Sequence, residues 1–237
     1  MLIIIWNQIC VSVNVYIPNE KYDLNNLSDL LKYYSVQYKE INIYIDKYYY
    51  TSDAQNRGFH ILVPGDINVS LIGKPSNGTF IDLTNNPFHF SLSYNEYTGQ
   101  QFRVENITFY NFMDPRSVEA NDIFYFRSYS HNYNFSFKNC VFDTSNSLIF
   151  KLDTETLTNK EETTDYQITF DSCQFKNIKG NGVILFGDTK EKKNIINNSV
   201  KVINSYFMNC YDIVKMYYGK IEFDNFPFIK NNGNLLK

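Results

Sequence analysis

The chain has 237 residues, 43% of them hydrophobic and 20% charged, and 22 Lys+Arg against 25 Asp+Glu leave a net charge of -3. That length is enough to bury a sizeable core, and so even a charge balance excludes a nucleic-acid partner held by neutralising phosphates. No apolar run approaches the roughly 20 residues that a membrane-crossing helix needs, so no transmembrane segment is expected.

The first residues, Met1 to Val13, are apolar but lack a basic leader and are interrupted by Asn7 and Gln8. They read as a buried strand running into Ile17 rather than as a signal peptide. From Asp23 to Tyr34, leucines at 24, 27, 30 and 31 recur at helical spacing. This predicts one short amphipathic helix with Asp23 as N-cap. Ile41 to Ile45 alternates apolar and polar, as a half-buried strand does. Residues 1–60 therefore read as an N-terminal cap (strand, helix, strand) over the open edge of the remaining chain.

From residue 61 onward the chain repeats. Five segments align without gaps: Phe102 to Phe109, Phe135 to Phe142, Ile168 to Phe175, Val200 to Phe207, and Ile221 to Phe228. Each reads apolar-x-apolar-x-[Asn/Ser]-x-x-Phe. The pivots are Asn106, Asn139, Ser172, Asn204 and Asn225, and Gly73 occupies the same place 33 residues before Asn106. Alternation before the pivot turns Phe102/Val104 and their equivalents inward; after it the phase slips by one residue, so Ile107, Cys140 and Cys173 become inward. A single left-handed residue at the pivot, where Asn and Gly are at home, would produce that slip. A further strand lies in each interval, at 122–126, 147–152, 182–186 and 212–216. Three short strands per repeat, with no helical periodicity after Ile41, predict a solenoid of β coils.

With its pivot column, its Phe column and the run Asn68 to Gly73, the chain resembles the right-handed parallel β-helix, pectin lyase-like family over roughly residues 61–237. The resemblance implies an all-β fold of three parallel sheets, with an asparagine ladder at the turn between the second and third strands. Asn106, Asn139, Asn204 and Asn225 would supply the ladder and Ser172 would interrupt it. Amides stacked at the strand spacing can hydrogen-bond along such a column, which makes it structural. Cys140 and Cys173 share a column. Both a disulfide between adjacent coils and two buried free thiols stay open. Gly233 to Leu236 reads as the start of another coil, so the C-terminal end is expected to be uncapped. Either a protein partner covers it or the chain is a truncated piece of a larger β-helix protein.

Family lyases and hydrolases bind sugar on the outer face of the first sheet. Aligning Asp153-Thr154 with Asp188-Thr189 stacks Arg127, Lys151, Phe186 and Tyr217 in one outward column, and Tyr125, Ile149, Ile184 and Lys215 in the next. Aromatic faces and cations of this kind suit a glycan, including an acidic one. Catalysis would fall to Lys151, Asp153 and Asp188, with Ca²⁺ in the case of a lyase. Yet Arg116 lacks the second arginine of the family's lyase pattern, and the hydrolase elements (Asn-Thr-Asp, Asp-Asp, Gly-His-Gly) are missing. His60, His89 and His131 each stand alone, so neither a triad nor a zinc site is expected. Six N-x-[ST] sequons, at Asn26, Asn68, Asn77, Asn106, Asn134 and Asn197, permit a secreted location. The expectation is a non-catalytic extracellular or cell-surface protein without cofactor, for adhesion, surface structure or glycan binding. The alternative is a divergent polysaccharide lyase or glycoside hydrolase.

Overall fold

The structure is a computed structural model, and it describes residues 12–46, 49–51, 59–63, 67–75, 78–83, 90–94, 100–112, 122–128, 133–146, 148–154, 166–179, 184–186, 199–216 and 220–233. The short alternating segments form strands, and every strand pairing among the described residues is parallel. The result is a parallel β-solenoid with three sheets, each strand lying beside its counterpart one coil away.

Sheet A contains Ser12–Ile17, Glu40–Ile45, Asn68–Ile72, Gln100–Glu105, Tyr133–Lys138, Ile168–Asp171, Ser199–Ile203 and Lys220–Asp224, in that order. Sheet B runs through Tyr49–Thr51, Thr79–Asp82, Ile107–Phe112, Val141–Ser145, Gln174–Ile178, Tyr206–Met208 and Phe228–Ile229. Sheet C holds Phe59–Leu62, Phe90–Tyr94, Asp122–Ser128, Leu148–Thr154, Ile184–Phe186 and Val214–Met216. The chain visits A, B and C in turn, and the winding already includes Glu40–Ile45 and Tyr49–Thr51, ahead of residue 61.

Helix α1 (Leu27–Tyr34) comes after a single 3-10 turn, Leu24–Asn26, and packs against Phe59–Leu62. The start of the 3-10 turn is fixed by a reciprocal cap. The Asp23 carboxylate accepts from Asn25 N at 2.7 Å, and the Asn26 side chain accepts from Asp23 N at 2.8 Å, which satisfies donors that a helix start leaves open. Leu24, Leu27, Leu30 and Leu31 are all buried, as their spacing predicts. Residues 1–11 lie outside the described residues, and the strand of the N-terminal segment is seen from Ser12.

The corner is where the sequence pattern becomes geometry. Asn106, Asn139, Ser172, Asn204 and Asn225 all have left-handed backbones, with φ of 57°, 53°, 56°, 47° and 52°. Before them Phe102 and Val104 point inward, after them Ile107 and Phe109. Asn139 Nδ2 donates to Asn106 Oδ1 at 3.3 Å, and Asn225 Nδ2 to Asn204 Oδ1 at 2.8 Å. Ser172 donates instead to its neighbour Asp171 Oδ1 at 2.9 Å, because its short side chain cannot span a rung.

A second left-handed column stands five residues further on, at Asn111, Thr144, Asn177, Asn209 and Lys230, with φ between 52° and 63°. There the phase slips again, so that Phe112, Ser145, Ile178 and Cys210 are buried. Asn177 Nδ2 donates to Asp143 Oδ1 at 2.9 Å and Asn209 Nδ2 to Asn177 Oδ1 at 2.8 Å. These two corners bracket sheet B and bend each coil around the core.

The core itself is aromatic. Phe109, Phe142, Phe175, Phe207 and Phe228 stack ring on ring, with centroids 5.4, 5.2, 4.6 and 5.4 Å apart. Phe137 and Phe170 stack at 4.8 Å on the sheet A side. From sheet C, Phe124 meets Phe109 and Phe137 edge-on at 5.1 and 5.0 Å. Parallel in-register coils bring identical residues into offset stacks, and the third sheet supplies the T-shaped contacts that rings also favour.

Candidate functional site

The backbone register of sheet C corrects the outward columns expected from sequence. Tyr125 lies opposite Lys151, Lys151 opposite Leu185, and Leu185 opposite Lys215. Tyr125 and Lys215 do share a column, but its middle members are Lys151 and Leu185 in place of Ile149 and Ile184. Arg127 stands opposite Asp153, not Lys151. Phe186 takes a position opposite Leu152, which is itself opposite the buried Phe126. Ile149 is fully buried. Tyr217 and Asp188 lie outside the described residues.

The reason is loop length. Successive members of the Tyr125 column, from Ser91 to Lys215, are 34, 26, 34 and 30 residues apart, whereas both corner columns step by 33, 33 and 32 residues before a final step of 21. Each insertion shifts sheet C, and a slip of one residue turns a side chain to the other face.

What remains is a compact outward group. The Lys151 ammonium lies 5.8 Å from the Tyr125 ring centroid, within the range of a cation–π contact. Two residues further along the same two strands, Arg127 and Asp153 are in register. An aromatic ring beside an ammonium can pack on a sugar face and pair with an acidic substituent. Cys140, Cys173 and Cys210 are free, buried thiols. Among the described residues no three His, Cys, Asp or Glu side chains come together to hold a metal ion.

The outer face of sheet A carries the densest charged cluster among the described residues. The Tyr166 phenol donates to Glu222 Oε2, and Lys220 Nζ donates to the Tyr166 hydroxyl at 2.9 Å. Lys201 Nζ lies 3.0 Å from Glu222 Oε1. Sequence reasoning missed this cluster, because Tyr166 reaches past one strand to meet a residue 56 positions away. The Tyr166 hydrogen bond, then the Lys201 ammonium, hold the Glu222 carboxyl down from 4.5 to about 2.

A carboxyl depressed on folding stabilises the fold above its unfolded value, and that contribution is lost as pH falls through the folded value. The expected result is that Glu222→Gln flattens the acid limb of stability between about pH 4.5 and 2. Chemical denaturation at a series of pH values reads this. Parallel limbs for the two proteins would show that the carboxylate is unpaired in solution.

In comparison with known proteins, no family model and no curated protein sequence matches the chain.

Proposed function

We propose that the chain is a non-catalytic β-solenoid protein of the extracellular space or cell surface that binds glycan along the outer face of sheet C. The winding is right-handed and pectin lyase-like in this reading, supported by three parallel sheets with left-handed Asn at the corner between A and B. The observation that carries the glycan reading is the Tyr125–Lys151 pair, an outward-facing ring and ammonium in register with Lys215. Rows of this kind run along the solenoid axis at about 4.8 Å per rung, so a linear glycan lying along the axis meets one rung after another.

The alternative reading, a divergent polysaccharide lyase or glycoside hydrolase, is favoured by one feature: Asp153 is in register with Arg127, two residues along the strand from Lys151. It would still need a second carboxylate in the same groove, or Ca²⁺ for a lyase.

One experiment separates the readings. The protein is applied to a glycan array, and the glycans retained are then assayed for release of unsaturated or reducing ends. Binding without release is expected, with Tyr125→Ala and Lys151→Ala each weakening retention about tenfold at unchanged melting temperature. Product release abolished by Lys151→Ala or Asp153→Asn would establish the enzyme instead. No retention of any glycan would overturn both.

A further inference from the structure

The cysteines follow a rule that the corners impose. Five times the residue after a left-handed corner is buried, small and carries a hydrogen to donate: Cys140 after Asn139, Ser145 after Thr144, Cys173 after Ser172, Ser205 after Asn204 and Cys210 after Asn209. For Cys140, Cys173, Ser205 and Cys210, one carbonyl of the preceding coil and one of the same coil lie within hydrogen-bond distance. Cys140 Sγ lies 3.4 Å from Val104 O and 3.5 Å from Lys138 O, Cys173 Sγ 3.6 Å from Phe137 O and 3.5 Å from Asp171 O, Ser205 Oγ 3.4 Å from Phe170 O and 2.7 Å from Ile203 O, and Cys210 Sγ 3.4 Å from Phe175 O and 3.6 Å from Met208 O. In every one of these four cases the cross-coil acceptor stands two residues before the corner of the preceding coil. Thiol and hydroxyl thus serve one purpose here, a buried donor aimed at a buried carbonyl.

Two of these thiols are neighbours. Cys140 and Cys173 immediately precede the register partners Val141 and Gln174, and Gln174 N donates to Cys140 O at 2.9 Å. Adjacent rungs lie about 4.8 Å apart, inside the Cα separation that a disulfide spans. We propose that Cys140 and Cys173 form a redox-sensitive latch: as thiols they help close the central coils, and as a cross-coil disulfide they loosen them. The disulfide has no S–H, so the donor that Val104 O shares with Lys138 O and the donor that Phe137 O shares with Asp171 O are both lost on oxidation.

The oxidant is a small-molecule disulfide such as oxidised glutathione. One cysteine thiolate attacks its sulfur and expels a first thiolate; the second cysteine attacks the mixed disulfide and expels another. The two protons shed by the cysteines end on the two released thiols. Both side chains are fully buried, and burial, with the Cys140 thiol hydrogen-bonded alongside, pushes the Cys173 thiol well above its ordinary value. The exchange therefore proceeds through local opening of the coils and not in the closed fold.

The test uses the full chain, held with oxidised glutathione at a denaturant concentration below the unfolding midpoint and then returned to native buffer. Peptide mapping is expected to find Cys140 joined to Cys173, with a melting temperature lowered by about 5 °C and restored by dithiothreitol. Without denaturant the pair is expected to stay reduced. Cys140→Ser/Cys173→Ser keeps a donor at each rung, as Ser205 does naturally, so its melting temperature is expected to match the wild type and to ignore glutathione. Should the double variant fold poorly, Cys140→Ser alone must still be insensitive. A Cys140–Cys173 disulfide that leaves the melting temperature unchanged or higher overturns the latch, as does failure to find that pairing.

Discussion

Replacing Phe142 by alanine is expected to cost about 3–5 kcal/mol of unfolding free energy. Phe142 is the second ring of the five-membered stack and is fully buried, with Phe109 at 5.4 Å on one side and Phe175 at 5.2 Å on the other. Phe137 and Phe124 close around it edge-on at 5.6 and 6.4 Å. In a solenoid the cavity left behind cannot collapse cheaply. Each flanking ring is held by its own strand register, and a shift toward the void would have to break the parallel ladder on both sides. The effect should therefore lie toward the upper end for a phenylalanine. Equilibrium denaturation with guanidinium reads it directly. A loss below about 1 kcal/mol, well under the usual range for a buried ring, would mean that the rings are not stacked as a continuous column.

The same substitution at the end of the stack sets a scale. Phe228 is 38% exposed and meets its neighbour Phe207 at a tilt of 35°, whereas Phe142 and Phe109 are within 9° of parallel. Less apolar surface is withdrawn from water there, and the free-energy term falls with it. The solenoid is thus a one-dimensional object whose stability is a sum over neighbouring coils, strongest in the coils around Phe142 and Phe175.

How much of the fold is legible in the sequence depends on which intervals stay constant. The corner at Asn106, Asn139, Ser172, Asn204 and Asn225 can be read because the eight residues around it keep one pattern in every copy, even where the interval shortens to 21 residues before Asn225, and the phase slip is visible on both sides. The second corner is legible in part: Asn111, Asn177 and Asn209 each stand five residues after a pivot. Thr144 and Lys230 hide the column, since neither is a residue expected with positive φ. Tertiary constraint from the flanking sheets overrides their local preference.

Sheet C is not legible at the level of single side chains. Its strands are recognisable, but the loops entering and leaving them differ in length from coil to coil, so no constant offset exists to extract. That is why sequence spacing puts Lys151 beside Arg127 when it stands beside Tyr125. Function suffers most from this. The outer face of sheet C is where a ligand reading needs the register to be right, and it is where the sequence carries the least information about register. The Tyr166–Glu222 contact is hidden for a related reason: it joins coils that are not adjacent in the repeat.

Gly73 offers the sharpest test of the corner itself. It occupies the pivot column one coil before Asn106, and a methyl group there would stand 2.2 Å from the Asn106 carbonyl oxygen and 2.9 Å from both Cβ and Oγ1 of Thr79. Neither neighbour is free to give way. The Asn106 carbonyl accepts from Thr79 N at 3.3 Å, and Thr79 Oγ1 accepts from Lys74 N at 3.0 Å while donating to Ile45 O at 3.2 Å. Gly73→Ala gains about 0.4–1 kcal/mol by restricting the unfolded chain, but crowding of a packed site costs about 1–3 kcal/mol, more where backbone must move. Here the obstacle is backbone, so a net loss of about 2–3 kcal/mol is expected. Gly78→Ala is the control. It has a φ of +70° but open space around the added methyl, so only the left-handed penalty of about 1–2 kcal/mol applies. Urea titration of the two variants should find Gly73→Ala the more damaging. The opposite order would mean that the first corner does not approach its predecessor as closely as the stacked coils require, and that the columns above and below it need not be in register.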